Sequence, residues 1–328
     1  MTDTTPVRWG ILSTAAIGLR KVVPGMMKSD RLVVAAIASR DLAKARAAAD
    51  ELGIAQAFGS YEALLADADI EAVYNPLPNH LHVPLTLAAA RAGKHVLCEK
   101  PMALSAAELA PLRPWADRVH LREAFMVREH PQWIVTRALV RAGRIGALRS
   151  VDVQFCYRNL DPANIRNMAG IGGGALYDIG CYAIVAGRWF FEAEPLRAGA
   201  LVERDARFGI DATTSGLVDF GAGRQLVFSV STQTAPFQRV LLRGEAGRIE
   251  IEIPFNAPQD APCRYAVDGE WIALPVADQY RLQAESFSRA VREDAPGPAG
   301  LDDAIRNLRI IDALFASEKS GRMETVPH

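Results

Sequence analysis

Cysteine is scarce in this sequence, and its placement argues against two kinds of site. The 328-residue chain has four cysteines, which lie far apart and include no C-x-x-C pair: Cys98, Cys156, Cys181 and Cys263. Such spacing indicates neither a disulfide framework nor a zinc site, and it suits a reducing compartment. We therefore predict a cytoplasmic protein without a metal centre.

An excess of charge of one sign and a long apolar run are also missing. The formal net charge of -1 gives no reason to expect binding to nucleic acid or to a membrane surface. No apolar run reaches the roughly 20 residues that span a bilayer. Residues 1–6 are polar and lead directly into a strand, so no signal peptide is expected. We predict a soluble protein that binds a small molecule.

The first 124 residues contain a regular alternation of strand-like and helical runs. This alternation is typical of an α/β domain of the Rossmann type, with a doubly wound parallel sheet. In residues 125–328, short strand-like runs recur between 197 and 274, and amphipathic helices follow at 279–292 and 301–317 with a proline-rich connector at 296–298. We predict a second, α+β domain there, built on a large, mostly antiparallel open sheet.

Lys100 stands at the end of a β-rich run, with Glu99 before it and Pro101 after it. Proline removes a backbone donor, so a central strand does not continue through it. The lysine therefore falls at the carboxyl end of a buried strand, which is the edge where open α/β sheets bind ligands.

The turn after the first strand has the pattern Ser13-x-Ala15-x-x-Gly18, where a dinucleotide fingerprint has three glycines. Small residues still let the backbone approach a pyrophosphate, and the helix N-terminus still offers unpaired N–H groups. A plain strand–turn–helix connection would have much the same pattern, so the turn alone does not decide the matter.

The second strand ends in Ser39 and Arg40, followed by Asp41. An acidic residue at this strand end typically holds the ribose 2′-hydroxyl of NAD, whereas an arginine suits the 2′-phosphate of NADP. We therefore favour NADP over NAD. Two alternatives stay open: Arg40 could be a solvated residue, and Asp41 could be the acidic group, although it suits a helix N-cap better.

Three segments resemble the Gfo/Idh/MocA family of NAD(P)-dependent oxidoreductases, in order and spacing, over essentially the whole chain. They are the loop Pro78-Asn79-His80-Leu81-His82, the strand end Gly93-Lys94-His95-Val96-Leu97-Cys98-Glu99-Lys100-Pro101, and the stretch from Gly172-Gly173-Gly174 to Tyr182. Many members carry histidine where this chain has Tyr182. The branch that acts on sugars and dihydrodiols is similar to this chain in carrying tyrosine; it includes NADP-dependent aldose dehydrogenases, glucose-fructose oxidoreductase and dimeric dihydrodiol dehydrogenase.

The resemblance implies a set of residues around an NADP cofactor. The degenerate glycine fingerprint is similar to that of some NADP-using relatives. The implied residues come from the first turn, the second strand end, the proline-rich loop, the Lys100 strand end and the start of the second domain: Ser13, Thr14, Ala15, Ile17, Ser39, Arg40, Lys44, Asn75, Pro76, Leu77, Asn79, His82, Glu99, Lys100 and Arg128.

The resemblance also implies which side chains act on the substrate. The catalytic set is Lys100, Asp178 and Tyr182, and substrate contacts are implied for the same three together with Arg128, His130 and Arg166. Asp178 and Tyr182 are four residues apart, so they share a helix face. Some alternatives stay open. Arg128 and His130 suit capping or solvated roles equally, and Tyr182 could be a core aromatic with Asp178 as a helix-start charge.

The implied reaction is hydride transfer between C4 of the nicotinamide and C1 of an aldose, which gives the aldonolactone. An ordinary tyrosine has a pKa of about 10, so Tyr182 would need the Lys100 ammonium nearby to act as a base. Three alternatives stay open: an aldose–aldose or glucose-fructose type oxidoreductase that cycles a retained NADP, a dihydrodiol dehydrogenase, and a non-catalytic NADP-binding regulator. Similar proteins associate through the open sheet face, which implies a homodimer or homotetramer.

Overall fold

The computed structural model describes residues 5–295 and 300–328, so the proline-rich connector predicted at 296–298 lies outside the described residues. The chain forms two compact units. The first comprises Met1–Ala103, Ala107–Met126 and Asp278–Ile305, and the second comprises Leu104–Ala106, Val127–Ala277 and Arg306–His328. The sequence-based division after residue 124 stays a prediction.

The first unit contains a six-stranded parallel sheet. Its strands are β1 (Val7–Leu12), β2 (Leu32–Ala38), β3 (Gln56–Phe58), β4 (Ala72–Asn75), β5 (His95–Cys98) and β6 (Leu121–Glu123). The α-helices between them are α1 (Val23–Met26), α2 (Leu42–Leu52), α3 (Tyr61–Leu65) and α4 (His82–Arg91), and a 3₁₀ helix, Ala106–Trp115, precedes β6. The strand order is β3-β2-β1-β4-β5-β6, which reverses direction between β1 and β4 as in a Rossmann sheet. The predicted doubly wound fold is confirmed.

Local capping chemistry sets both ends of α2 and the start of α3. Asp41 is the N-cap of α2, and its side chain accepts hydrogen bonds from the backbone N–H groups of Ala43 and Lys44. Gly53 ends the same helix in the left-handed conformation, at φ 70°. Ser60 caps α3 through a hydrogen bond from the backbone N–H of Ala63.

The second unit contains a nine-stranded sheet. Its strands are β7 (Leu148–Arg158), β8 (Arg197–Arg204), β9 (Asp211–Asp219), β10 (Gln225–Ser231), β11 (Gln233–Gly244), β12 (Arg248–Ile251), β13 (Arg264–Val267), β14 (Glu270–Ala273) and β15 (Glu324–Thr325). The order is β14-β13-β12-β11-β7-β10-β9-β8-β15. All neighbours are antiparallel except β7 and β10. The predicted large, mostly antiparallel sheet is confirmed, while β13 and β15 were not predicted.

The remaining helices are α5 (Pro131–Arg141), α6 (Cys181–Phe191), α7 (Gln279–Glu293) and α8 (Leu301–Ser320). Helix α6 packs against β7 and β10. The helical stretch Ala169–Phe191 is long enough and apolar enough to cross a membrane. However, 72% of its most apolar 18-residue segment is buried within the protein, as in a core helix. The opposite sheet face exposes apolar side chains, including Leu201 at 80%.

Helix α7 is part of the core of the first unit. The indole N–H of Trp9 in β1 donates to the hydroxyl of Ser288 at 3.1 Å. The ring of Phe287 lies 5.2 Å from the Trp9 ring, measured between centroids. Trp9 is fully buried, so β1 takes part of its cover from a segment almost 280 residues later in the chain.

Candidate active site

The turn that follows β1 has the tight conformation of a dinucleotide-binding turn, although Ser13 stands where the fingerprint has its first glycine. Ser13 has a φ of 106°, a region that L-residues rarely occupy, and its hydroxyl accepts a hydrogen bond from the backbone N–H of Ala15 at 3.2 Å. A π-helical turn, Gly18–Val22, then leads into α1. The small residues at 13 and 15 thus preserve a tight turn at the carboxyl end of β1, directly before a helix.

The end of β2 decides between the two possible roles of Asp41. Because one carboxylate oxygen of Asp41 accepts from Ala43 N at 2.9 Å and Lys44 N at 3.3 Å, the N-cap role is confirmed. Arg40 is exposed and its guanidinium lies beside the Tyr61 hydroxyl. Burial raises the pKa of Tyr61, and the charge and hydrogen bond of Arg40 oppose that rise. This strand end therefore presents a cation held by a neighbouring side chain.

Asn75 and His82 fix the loop after β4, and both are fully buried. The Asn75 amide donates to the His82 carbonyl and to the Thr86 hydroxyl, each at 3.2 Å. The two His82 ring nitrogens lie 2.7 Å from the Pro101 carbonyl oxygen and 2.6 Å from that of Leu77. These side chains therefore hold the loop and the Pro101 segment together, and the cofactor-binding role predicted for Asn75 and His82 stays a prediction.

Glu99 and Lys100 follow β5 and are partly exposed. The Tyr74 hydroxyl donates to Glu99 Oε1 at 2.6 Å, and burial together with the Glu99 charge raises the pKa of Tyr74. The peptide bond between Lys100 and Pro101 is cis. Lys100 therefore stands at the carboxyl edge of the parallel sheet, as predicted, on a segment anchored through Tyr74 and His82.

His130 is the N-cap of α5, and Pro131 occupies the first turn of that helix. Its Nδ1 accepts from the backbone N–H of Gln132 at 3.2 Å, and its side chain is fully buried. The capping alternative is confirmed, and substrate contact by His130 stays a prediction. Arg128 is 8% exposed in the short 3₁₀ helix Met126–Glu129, and its predicted contacts are likewise untested.

Asp178 lies at the centre of a small polar cluster in the second unit. Its Oδ2 accepts a hydrogen bond from the Tyr157 hydroxyl at 2.6 Å and lies 3.0 Å from Nε of Arg166. Asp178 is 12% exposed and Arg166 41%. Burial and the Asp178 charge raise the pKa of Tyr157, so its hydroxyl stays protonated and acts as a donor. The structure thus brings together two predicted site residues, Arg166 and Asp178.

Tyr182 lies in the first turn of α6, directly after the π-helical turn Leu176–Gly180 that carries Asp178. Its ring is buried against Phe155 and Phe255, with centroid distances of 5.9 Å and 5.4 Å. The backbone N–H of Cys181 reaches back to the Leu176 carbonyl, which is the i to i−5 pattern of a π-helix. π-Helical turns within α-helices occur frequently at functional sites.

Tyr157 was not predicted as a site residue, and only a weak signal could have identified it. It follows Phe155 by two residues in an alternating strand, which places both on the inner face. Its partner Asp178 comes 21 residues later, so no local motif links the two residues.

Both halves of the chain match known family domains. Residues 7–125 match the oxidoreductase family with an NAD-binding Rossmann fold, and residues 133–250 match the GFO/IDH/MocA C-terminal domain. The chain is a GFO/IDH/MocA oxidoreductase. It is 47% identical to an uncharacterized oxidoreductase of Rhizobium meliloti, over 98% of this chain and 99% of the relative. It is 40% identical to D-xylose 1-dehydrogenase (NADP(+)) 2 of Haloferax volcanii, over 95% and 98%.

Solved structures of this family have closely similar folds. A 3-ketoreductase from Actinomadura kijaniata in complex with NADP and TDP-benzene matches with a TM-score of 0.90 and 29% identity, over 95% of this chain and 98% of that structure. An aldose-aldose oxidoreductase from Caulobacter crescentus complexed with glycerol matches with a TM-score of 0.89 and 26% identity, over 98% and 99%. Both of these proteins are oxidoreductases, in agreement with the family to which this chain belongs.

Proposed function

We propose that this GFO/IDH/MocA protein is an NADP-dependent aldose dehydrogenase, which oxidises the C1 hydroxyl of a sugar to the aldonolactone. The observation that carries the substrate class is the 40% identity to an NADP-dependent D-xylose dehydrogenase along nearly the whole of both chains. The cluster around Asp178 supports it, because a carboxylate and a guanidinium are groups that hydrogen-bond sugar hydroxyls.

The residues at the sheet edge of the first unit fit NADP. The tight turn at Ser13 precedes a helix, as a pyrophosphate site requires. Asp41 is occupied as a helix cap, whereas Arg40 is exposed and held by Tyr61. A guanidinium suits a 2′-phosphate, and the carboxylate that would select NAD is committed elsewhere. The other predicted positions around this edge stay part of the proposal: Thr14, Ala15, Ile17, Ser39, Lys44, Asn75, Pro76, Leu77, Asn79, His82, Glu99 and Arg128.

In the proposed reaction, Tyr182 as the phenolate removes the proton from the C1 hydroxyl. NADP, held by the turn at Ser13 and by Arg40, would supply the acceptor for the hydride that leaves C1. Lys100 donates a hydrogen bond to the same substrate oxygen and stabilises its developing negative charge. Its ammonium also favours the phenolate form of a tyrosine, which otherwise has a pKa of about 10. The balance is one proton to the tyrosine and one hydride to the cofactor.

Asp178 orients the sugar in this proposal. Tyr157 and Arg166 both donate to one of its oxygen atoms, which fixes the direction of the carboxylate. A carboxylate held in this way accepts hydrogen bonds from sugar hydroxyls, and the half-exposed Arg166 provides a donor next to it. Fixed geometry of this kind lowers the entropic part of the barrier.

The test is the initial rate of cofactor reduction by the purified protein with a panel of aldoses, with NADP and with NAD. We expect steady NADPH formation with at least one pentose or hexose, and a higher kcat/KM with NADP than with NAD. Lys100→Ala and Tyr182→Phe should each lower kcat by a factor of at least about 100. The matched controls Lys319→Ala and Tyr265→Phe, both in the second unit, should keep wild-type rates. A fully active Lys100→Ala variant would refute the catalytic assignment.

Two other activities are favoured by specific similarities. Likeness to the aldose-aldose oxidoreductase favours a cycle on a retained cofactor, in which one sugar is oxidised and another reduced. NADP that survives dialysis, with no net NADPH release, would select this cycle.

Likeness to the 3-ketoreductase favours reduction of a nucleotide-linked keto sugar. NADPH oxidation with such a sugar, and no reaction with free aldoses, would select that activity. If no sugar in these assays is turned over but NADP still binds, the result favours the alternative of a non-catalytic NADP-binding regulator.

We also propose that the open face of the nine-stranded sheet joins two or four copies of the chain in the cytoplasm. This face carries exposed apolar side chains on adjacent strands, Leu201 at 80%, Leu217 at 41% and Val227 at 39%. Exposed apolar patches of this kind mark association sites. Light scattering after size exclusion should give a dimer or tetramer, and Leu201→Glu with Val227→Asp should give a monomer.

A further inference from the structure

The glycine run Gly172–Gly174 has no role in the proposed reaction, yet it adopts a closely constrained conformation. Gly174 has a φ of 119°, and a Cβ atom there would lie 1.9 Å from Oδ1 of Asp211. A Cβ on Gly173 would lie 2.6 Å from the Arg166 carbonyl oxygen. The run therefore lets the Arg166 loop, the Asp211 carboxylate and the start of the following helix approach one another closely.

Asp211 is the first residue of β9 and is 2% exposed. Its Oδ2 accepts hydrogen bonds from the backbone N–H of Leu176 at 2.6 Å and from the hydroxyl of Thr214 at 3.1 Å. Leu176 begins the π-helical turn that carries Asp178. A short bond from a backbone N–H at a helix start to a carboxylate is charge-assisted and therefore strong.

We propose that Asp211 is a positioning residue, whose carboxylate fixes the segment 174–182 and hence the side chains of Asp178 and Tyr182. This inference rests on the proposed function for the roles of those two side chains. Asp178 is tied to the same segment at a second point, because its N–H donates to the Gly174 carbonyl at 3.1 Å. Asp211 thus holds one end of the turn. Arg166 and Tyr157 hold the carboxylate of Asp178, which lies within the turn.

The hold that Asp211 provides depends on its ionisation. Burial raises the pKa of Asp211 to about 6, against the hydrogen bonds from Leu176 and Thr214 and the charge of Arg204. Among the described residues, the charge that acts on Asp211 is that of Arg204 in β8, which is paired with Glu318 in α8; the Arg166–Asp178 pair lies on the segments either side of the glycine run. Above about pH 6 Asp211 is a carboxylate and holds Leu176 N–H strongly; below that pH it is neutral, and the bond weakens.

Asp211→Asn tests the proposal, since it keeps the shape of the side chain and removes the charge. We expect kcat for the sugar to fall on the order of tenfold to a hundredfold, because small displacements of catalytic groups have effects of that size. KM for NADP should stay within a factor of about two, because the cofactor edge is untouched. The matched control is Asp278→Asn, a buried N-cap aspartate at the start of α7, which should keep the wild-type kcat.

The pH profile separates positioning from simple structural support. In the wild type, kcat should fall as the pH drops through about 6, and this acid limb should be absent in Asp211→Asn. Thr214→Val removes only the second donor and keeps the charge, so the pKa of Asp211 rises and the acid limb should move to higher pH by about half to one unit. This variant also decides the matter if Asp211→Asn fails to fold. An acid limb that is unchanged in Thr214→Val would overturn the proposal.

Amide hydrogen exchange provides a readout that does not depend on activity. Peptides covering 174–182 should exchange on the order of tenfold faster in Asp211→Asn than in the wild type at the same pH. Their exchange rate should be unchanged in Asp278→Asn. If the wild type reduces no cofactor with any sugar, the proposed function fails while exchange still tests the hold on the segment. If the wild type is active and Asp211→Asn matches it in kcat and exchange, the positioning role alone fails.

Discussion

The Tyr157 hydroxyl lies 2.6 Å from Oδ2 of Asp178 and donates a hydrogen bond to it. The two residues come from β7 and from the turn before α6, so the bond ties a strand to the helical segment of the candidate site. Arg166 contacts the same oxygen atom. The direction of the carboxylate is therefore set by two donors, a neutral hydroxyl at 2.6 Å and a charged guanidinium at 3.0 Å.

Removing that hydroxyl should impair turnover more than stability. In Tyr157→Phe, we expect kcat/KM for the sugar to fall roughly tenfold to a hundredfold, because a hydrogen bond to a charged group contributes about 1.5–3 kcal/mol. The melting temperature should fall by only a few degrees, since the ring and its packing are retained. Steady-state kinetics and a thermal melt provide the measurement. Tyr265→Phe, also a buried tyrosine in the second unit, is the control. Wild-type kcat/KM in Tyr157→Phe would show that Asp178 needs no such donor.

Arg40 should determine the choice of cofactor. In Arg40→Ala, we expect KM for NADP to rise about tenfold to a hundredfold through loss of a charge-assisted contact with the 2′-phosphate. KM for NAD should change little, since NAD lacks that phosphate. Kinetics with both cofactors measure the ratio, and Arg46→Ala, at an exposed position on α2, is the control. Equal increases for NADP and NAD would contradict a 2′-phosphate contact.

The buried histidines should make the fold sensitive to acid. Burial lowers the pKa of His130 to about 4 in the folded chain, against about 6.5 in the unfolded chain. Between these values the unfolded chain binds a proton that the folded chain does not, so the free energy of unfolding falls as the pH drops from about 6.5 to about 4. This one residue accounts for up to about 3 kcal/mol of that loss.

His130→Asn should flatten that pH dependence. Asparagine keeps an acceptor for the Gln132 N–H and does not titrate. His82 and His95 act in the same direction, because burial lowers the pKa of each to about 4, so part of the slope should persist. Urea unfolding at several pH values measures the effect. The exposed His80→Asn is the control and should leave the slope unchanged; an unaltered slope in His130→Asn would contradict the prediction.

Gly174 should tolerate no side chain. In Gly174→Ala the new Cβ would overlap the Asp211 carboxylate, and the residue would keep a φ of 119°. We expect the free energy of unfolding to fall by at least ~2 kcal/mol. Gly53→Ala is the control, because that position has a positive φ but nothing within 4 Å, and it should lower the free energy of unfolding by only about 1 kcal/mol. Equal losses in the two variants would show that backbone strain alone is responsible.

The parts of the fold that depend on local chemistry were predictable from the sequence. Asp41 starts α2 as expected, because a cap involves only the nearest residues. Strand β13 was missed, since Arg264–Val267 is four residues long and shows no alternation of polar and apolar side chains. The assignment of α7 to the first unit was also beyond the sequence. An amphipathic pattern shows that a helix has an apolar face, but does not show which core that face covers.

The candidate site was predictable to the extent that motifs carry it. Lys100 and Asp178 were found from the segments that resemble the family. Asn75 and His82 were predicted near the cofactor from the same segments, and the structure adds that their side chains are buried and bonded within the loop. Asp211 was missed because its partner, the Leu176 N–H, lies 35 residues earlier in the chain. Sequence spacing identifies residues on one element, and it does not reveal pairs that the tertiary fold brings together.

The contact of Trp9 with Phe287 and Ser288 has a consequence for biosynthesis. A chain emerging from the ribosome presents β1 to β6 first, but the helix that covers Trp9 follows only after β14. Domains normally fold in the order of synthesis. Here the unit whose first strand is made earliest completes its core late, after eight of the nine strands of the other unit have been translated. A fragment ending at Met126 would leave that indole uncovered and would be a candidate for chaperone binding.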